Sequence, residues 1–300
     1  MDHKEKLKLL KNIVNKHIVE FTSQDSTIRT TENSFILPNT TRLLHMSRND
    51  NTFGKIFNLK SPDQRSSNRS FFHYMSYDLT YKFIKENFVT ASALSNFAGL
   101  TDDTKEYDHF FSVTKIPFKQ SYIDKQKGGL YVFCLTEDNE TEKFWKEYVN
   151  DHKGLCLEFE FIDKQQFRHL FELRKICYDN GNDFDFYSKM QDEIFSKFKK
   201  CLLTKGIAKF GALYKRRDSF EWERETRLLF NWDLYQADLT PKAFFTYTHN
   251  SKSYLKIPLD NDLFSLKIKT ITIGKNLDPE QNENIKKLAT KKGIKWTEEN

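Results

Sequence analysis

The sequence predicts an α+β fold, with a single mixed or antiparallel β core and flanking helices. Three observations carry this reading. Short apolar segments alternate with polar residues as strands do, the helical segments are amphipathic, and the order of elements is mixed rather than a regular βαβ series. The chain has 300 residues, enough to bury a sizeable core. Its 28 Phe and 13 Tyr make aromatic packing dominant in that core. A charged fraction of 30% fits a folded rather than a disordered chain.

Lys4 to Phe21 reads as an amphipathic helix. Leu7, Leu10, Val14 and Ile18 share one face, and Lys8, Asn12, Lys16 and Glu20 the other. This segment, residues 1–30, is expected to stand apart from one domain over 31–300. It could dock a partner such as an inhibitor or antitoxin protein, or pack on its own domain. Leu43 and Leu44 centre a strand that follows the turn at Pro38-Asn39. Phe71 to Phe88 begins aromatic and becomes helical, with Tyr77, Tyr81 and Ile84 spaced for one face. Leu130 to Leu135 is a compact apolar strand after Gly128-Gly129. Asp138-Asn139 offers an N-cap for a helix carrying Phe144, Trp145, Tyr148 and Val149, and Gly154 suits its termination by a positive φ. Leu155 to Phe161 alternates apolar and acidic residues, the pattern of a half-buried strand. Tyr187 to Leu203 reads as a basic amphipathic helix. Thr226 to Trp232 and Leu266 to Ile273 read as strands, and Asp278-Pro279-Glu280 as a helix start.

The bulk chemistry narrows the function classes. The four cysteines form no Cys-x-x-Cys pair, and the charged opening residues lack the apolar stretch of a signal peptide, so a reducing cytoplasmic setting is expected. No window approaches ~18 uncharged apolar residues, so no membrane span is expected. Net charge is +6. Between Phe186 and Arg217 nine basic residues, Lys199, Lys200, Arg216 and Arg217 among them, face two acidic ones. Such a strip can attract nucleic-acid phosphates, or it can be a solvated helix face. No metal-ligand spacing, Gly-x-Ser-x-Gly, Walker loop or Gly-x-Gly-x-x-Gly is present, and no metal is expected. Cys134 and Cys156 lie inside apolar strands, where core packing is the simpler role.

Three constellations could carry chemistry. Arg42 to Ser47 ends a strand with His45 and Ser47, an imidazole and a hydroxyl suited to ribose and amide groups. Phe72, Tyr74 and Tyr81 offer aromatic faces at a strand-to-helix transition, although core packing explains them too. Glu223 and Glu225 open an apolar strand beside Trp222. In extended backbone they point to one side, where one could stabilise a positive transition state and the other handle a proton. A surface ion-pair patch with Arg224 and Arg227 is the plainer alternative.

The segment from Trp145 through Tyr148, His152, Gly154 and Cys156 to Phe159 resembles a widespread bacterial family of domains of unknown function. Its signature is Trp-x-x-Tyr-Ala-x-x-His-x-Gly-[Val/Ile]-Cys-[Leu/Ile]-x-Phe, with Val149 here in place of Ala. Glu223 to Leu228 and Ile268 to Gly274 resemble two further segments of that family. The order His45-x-Ser47, Tyr74 and Tyr81, then Glu225 also resembles the diphtheria-toxin-type ADP-ribosyltransferases. That resemblance implies an ADP-ribosyltransferase-like β core and NAD as co-substrate. His45 and Ser47 would hold NAD. Met46 stands where a Gly is usual, and its backbone would contact the nicotinamide amide. Tyr74, or Phe72 in its place, and Tyr81 would pack the nicotinamide. Glu225 would stabilise the oxocarbenium-like transition state, with Glu223 acting on the acceptor, as in the paired glutamates of arginine-directed members.

The expected function is therefore an NAD-dependent ADP-ribosyltransferase, a bacterial toxin or phage-defence effector modifying nucleic acid, RNA in particular, or protein. A Glu225→Gln change is expected to abolish transfer and leave the fold intact. Two alternatives stand beside it: a non-catalytic nucleic-acid-binding module, and an NAD-independent hydrolase using Glu223 and Glu225.

Overall fold

The structure is a computed structural model that describes residues 2–17, 43–45, 61–65, 69–97, 103–115, 120–138, 142–165, 170–181, 183–203, 207–232 and 244–299. In chain order the elements are α1 (His3–His17), β1 (Leu43–His45), β2 (Ser70–Ser76), α2 (Tyr77–Glu86), β3 (Phe88–Ala93), α3 (Asp103–Val113), α4 (Gln120–Gly129), β4 (Leu130–Thr136), α5 (Glu142–Glu147), β5 (Gly154–Asp163), β6 (Phe171–Lys175) and β7 (Cys177–Asp179). Then come α6 (Asp185–Phe198), β8 (Cys201–Leu203), α7 (Ile207–Gly211), β9 (Tyr214–Arg216), α8 (Arg217–Phe220), β10 (Glu225–Asn231), β11 (Phe245–His249), β12 (Lys252–Pro258), β13 (Phe264–Ile273), α9 (Pro279–Lys291) and β14 (Lys295–Glu298). The α+β class holds. Two compact units form, one from Met1–Pro62, Phe97–Lys127 and Cys177–Phe220, the other from Asp63–Asn96, Gly128–Ile176 and Glu221–Asn300. The division expected from sequence, 1–30 against 31–300, is not the one drawn by these contacts. Each unit is assembled from three separated stretches, and a linear reading cannot see such a boundary.

In the first unit, α1 buries Leu10, Ile13 and Val14 and packs on α6, which buries Met190 and Ile194. This face of α1 is thus used within its own unit. Lys16 and His17 both bind Glu193 of α6, at 2.9 and 2.7 Å. The expected long helix to Leu203 ends at Phe198. Lys199 takes a left-handed conformation, and Cys201–Leu203 becomes a strand parallel to β1. Strands β7 and β9 form a second parallel pair, beside a cluster of Phe110, Phe184 and Tyr214.

The second unit is built on a ten-stranded, mostly antiparallel sheet, ordered β11-β12-β3-β4-β2-β5-β13-β14, with β10 joining β4 to β6. Alternation along each strand gives the sheet two unlike faces. One carries Phe71 and Met75 of β2, Phe133 and Leu135 of β4, Leu155, Leu157, Phe159 and Phe161 of β5, and Leu228 and Phe230 of β10. Helix α2 adds Phe83 and Ile84 to this core, and α9 adds Ile285 and Ala289. Burying each such large side chain stabilises by ~1.5–3 kcal/mol. Helix α9 starts where expected: Asp278 caps it, accepting from the backbone N–H of Glu280 at 2.9 Å and of Gln281 at 3.3 Å. Among the described residues no helix is long and apolar enough to cross a membrane, and all four cysteines are free thiols.

Candidate functional site

The opposite face of the sheet carries charges, and they are buried. Glu225 opens β10, and Arg227 lies two residues on, pointing the same way. The Arg227 Nε donates to Glu225 Oε1 at 2.7 Å and its second guanidinium nitrogen to Oε2 at 3.2 Å. The two side chains are 2% and 7% exposed. On neighbouring β6, Arg174 Nε donates to Glu172 Oε2 at 2.7 Å, and both are buried. A third pair of the same spacing, Asp63 and Arg65, joins at 2.7 Å, and Asp63 bridges to Arg174 through the backbone. Burial raises the Asp63 carboxyl, but its hydrogen bonds to Arg65 and the charges of Arg65 and Arg174 outweigh that and lower it. Arg174 stands directly opposite Arg227. Buried ion pairs contribute little net stability, so a group of them on a sheet face calls for another role.

Glu223 reaches this region by a route the sequence did not suggest. It is buried, but it lies in a 3-10 turn, Glu221–Glu223, and Arg224 follows with φ of +44°. Glu223 and Glu225 are therefore not alternate residues of one strand, and extended-chain geometry does not align them. Two bonds fix Glu223 instead. The Tyr148 hydroxyl donates to its Oε1 at 2.6 Å, and the Thr136 hydroxyl donates to its carbonyl at 2.8 Å. Trp222 packs on Phe144 with centroids 4.9 Å apart, and Lys143 Nζ sits 3.8 Å from the Trp222 ring centroid. The surface patch that pairs Glu225 with Arg227 is not at the surface. Arg224 is exposed, 4.0 Å from Asp138.

The three candidate aromatics separate. Phe72 is opposite Thr136, which is opposite Glu225, so the three lie in one row across β2, β4 and β10. At ~4.8 Å per strand the row spans ~10 Å. Tyr74 shares this face but is already packed. Its ring stacks on Phe144 at 4.9 Å and meets Trp145 edge-on at 5.1 Å. Burial raises its hydroxyl pKa, and burial pushes the neighbouring Cys156 thiol up to about 12. Tyr81 packs with Tyr77 against the apolar core, on the other side of the sheet. Tyr74 and Tyr81 therefore cannot sandwich one ring. His45 lies on β1, in the first unit. Met46 and Ser47 fall outside the described residues.

Protein-family models, curated proteins and solved structures were compared with the chain, and none matches it.

The residues of the Trp145–Phe159 pattern have a structural account of their own. Helix α5 is short, and Asn150, Asp151 and His152 all take positive φ. They turn the chain, and Gly154 begins β5 rather than ending the helix. Gly154 is needed for space: a Cβ there would lie 2.5 Å from the Met75 carbonyl oxygen. The buried His152 ring stacks on Trp145 and bonds Glu299 through Nδ1 at 2.7 Å. On β2, His73 Nδ1 donates to the Cys134 carbonyl at 2.6 Å. Burial lowers the His73 pKa to about 4, outweighing that bond and the charge of Glu225.

The basic strip belongs to the first unit and is partly neutralised by acids remote in sequence. Arg216 grips the buried Glu106, with Nε 2.9 Å from Oε1, and its backbone N–H donates to Oε2 at 2.8 Å. Lys215 pairs with Asp103 at 3.3 Å and Lys189 with Asp185 at 3.7 Å. Lys199 and Arg217 are exposed and Lys200 half-buried. The strip is thus a weaker anion-attracting field than its sequence implied, because Asp103 and Glu106 come from α3. Sequence reading also missed Glu172, Arg174, Asp63 and Arg65. The available signal was the acid-x-Arg spacing, repeated at Asp63, Glu172 and Glu225.

Proposed function

We propose that the chain is an NAD-dependent ADP-ribosyltransferase whose reacting centre is Glu225, on the polar face of the ten-stranded sheet. The observation that carries this reading is the buried Glu225 carboxylate, paired with Arg227 and set in a row with the half-buried Phe72 ring. Departure of nicotinamide takes the bonding electron pair with it and leaves positive charge at the ribose carbon. A carboxylate fixed beforehand in a water-poor site stabilises that charge strongly. The acceptor oxygen or nitrogen then bonds the same carbon, and Glu223, oriented by Tyr148, takes its proton. Phe72 packs the nicotinamide in place of Tyr74, whose faces are occupied, and Tyr81 has no part. The resemblance gives ribose- and amide-holding roles to His45, Met46 and Ser47; His45 belongs to the first unit, and the centre argued here rests on residues of the second unit alone. The acceptor is nucleic acid, RNA in particular, and the setting is that of a cytoplasmic toxin or phage-defence effector with an inhibitor or antitoxin partner.

The test is incubation with labelled NAD and, separately, total RNA, DNA and lysate protein, using wild type, Glu225→Asp and Phe72→Ala. Glu225→Asp keeps a charge beside Arg227 but withdraws the carboxylate by one methylene. Wild type should label one fraction, and Glu225→Asp should lose about a hundredfold or more in rate. Full activity in Glu225→Asp removes Glu225 from the mechanism. Cleavage of an acceptor without NAD would favour a hydrolase built on Glu223 and Glu225. No transfer and no nicotinamide release from folded protein sinks the NAD reading.

A further inference from the structure

Strands β11 and β12 form a hairpin at one end of the ten-stranded sheet, and among the described residues β11 pairs with β12 alone. Asn250 and Ser251 join them with φ of +48° and +60°, the backbone of a two-residue type I′ turn. Register places Phe245, Tyr247 and His249 opposite Lys256, Tyr254 and Lys252, so these six share one face. Tyr247 and Tyr254 stack at 5.3 Å with planes 23° apart, and Phe245 is 6.5 Å from Tyr247. Phe245 is 49% exposed. No Asp or Glu occurs between Phe245 and Pro258. Lys256 is tied to Glu86 at 3.0 Å, while Lys252 and the exposed His249 flank the stacked tyrosines.

The platform is rigidly backed. Leu255 and Ile257 point into the apolar core. The Asn96 side chain clasps Ser253, accepting from its N–H at 2.8 Å, and the Tyr131 hydroxyl lies 2.8 Å from the Ser253 hydroxyl. Tyr254 is opposite Ser92, Ser92 opposite Val132, and Val132 opposite Leu229. The rings therefore lie on the same sheet face as Glu225, three strand spacings or about 15 Å across from β10.

We propose that this aromatic face binds single-stranded nucleic acid, with bases stacking on Phe245, Tyr247 and Tyr254 and phosphates drawn to Lys252. Aromatic rings beside lysines suit unstacked bases, because every base has a π-face and the backbone is anionic, and the Glu86 carboxylate at the margin of this face is held by Lys256. The binding surface stands on this chemistry alone. Its role in presenting an acceptor to Glu225 rests on the transferase reading. The surface belongs to the second unit, whereas the Lys199–Arg217 strip belongs to the first.

The experiment measures fluorescence anisotropy of labelled 12-nucleotide single-stranded RNA, single-stranded DNA and duplex with the full chain, without NAD, at two salt concentrations. Wild type should bind a single strand in preference to duplex, and more weakly at high salt. Phe245→Ala and Tyr247→Ala should each weaken binding about tenfold or more, and Lys252→Glu should weaken it and flatten the salt dependence. RNA against DNA decides which strand is the natural one. Wild-type affinity in both aromatic variants overturns the proposal. So does loss of binding only on charge reversal at Lys199, Lys200, Arg216 and Arg217, which places the interface on the strip. Absence of nucleic-acid binding by wild type also overturns it and leaves the exposed edge to a protein partner. Because NAD is absent, failure here leaves the Glu225 chemistry untouched.

Discussion

Replacing Glu225 by Gln should damage the fold as well as any activity. The Arg227 side chain is 2% exposed and its Glu225 partner 7%, so water screens neither charge. Removing one member of a buried pair leaves an uncompensated charge, at a cost of ~3–5 kcal/mol. Arg227→Met should cost a similar amount. The double variant buries no orphan charge from this pair, so it should be less destabilised than the two singles added together, by about 2 kcal/mol. All four tryptophans, Trp145, Trp222, Trp232 and Trp296, lie in the unit that holds the pair, so urea unfolding followed by tryptophan fluorescence reports on that unit. A Glu225→Gln protein within about 0.5 kcal/mol of wild type, or strict additivity in the double variant, would refute the reasoning. The result also bears on interpreting activity. An inactive Glu225→Gln protein is ambiguous, contrary to the sequence expectation of an intact fold, and Glu225→Asp is the cleaner probe.

Other outcomes follow from the same geometry. His73 has its folded pKa lowered to about 4 from 6.5, so the unfolded chain binds more protons between those values. Stability contributed by the neutral ring is present above pH 6.5 and is lost as pH falls towards 4, by up to about 3 kcal/mol. A His73 NMR titration midpoint near 6.5 would contradict this. Gly274→Ala would set a Cβ 2.2 Å from the His152 carbonyl oxygen, and Gly154→Ala one 2.5 Å from that of Met75. Each should cost ~1–3 kcal/mol or more in denaturant unfolding, and a neutral result would show that the α5–β5 corner can relax. Asp278→Ala should cost ~1 kcal/mol and speed amide exchange in the first turn of α9. Unchanged exchange there would mean that the cap is supplied by other groups.

Much of the second unit was legible in the chain because its signals are local. Alternation over Leu155 to Phe161 told which side of β5 faces the core, and Asp278-Pro279 told where α9 begins, since both depend on residues within one or two turns or pleats of each other. Strand β3 and the β11–β12 hairpin went unread; β3 is short, β11 turns its alternating aromatic residues to the exposed face rather than the core, and register against neighbouring strands supplies the order. The sequence by itself determined that Glu225, Glu223 and the aromatics are present at the edges of apolar segments. Only the tertiary structure decided which of them share a face. Phe72, Thr136 and Glu225 fall in line because three strands far apart in the chain pair in one register, while Tyr81 is carried to the other side by a helix that starts right after β2. It also decided that Arg227 is buried against Glu225, that Glu223 is turned by a left-handed Arg224, and that Asp103 and Glu106 compensate a basic strip a hundred residues away. Charge and burial depend on what lies across the fold, and of that the chain records only the acid-x-Arg spacing at Asp63, Glu172 and Glu225.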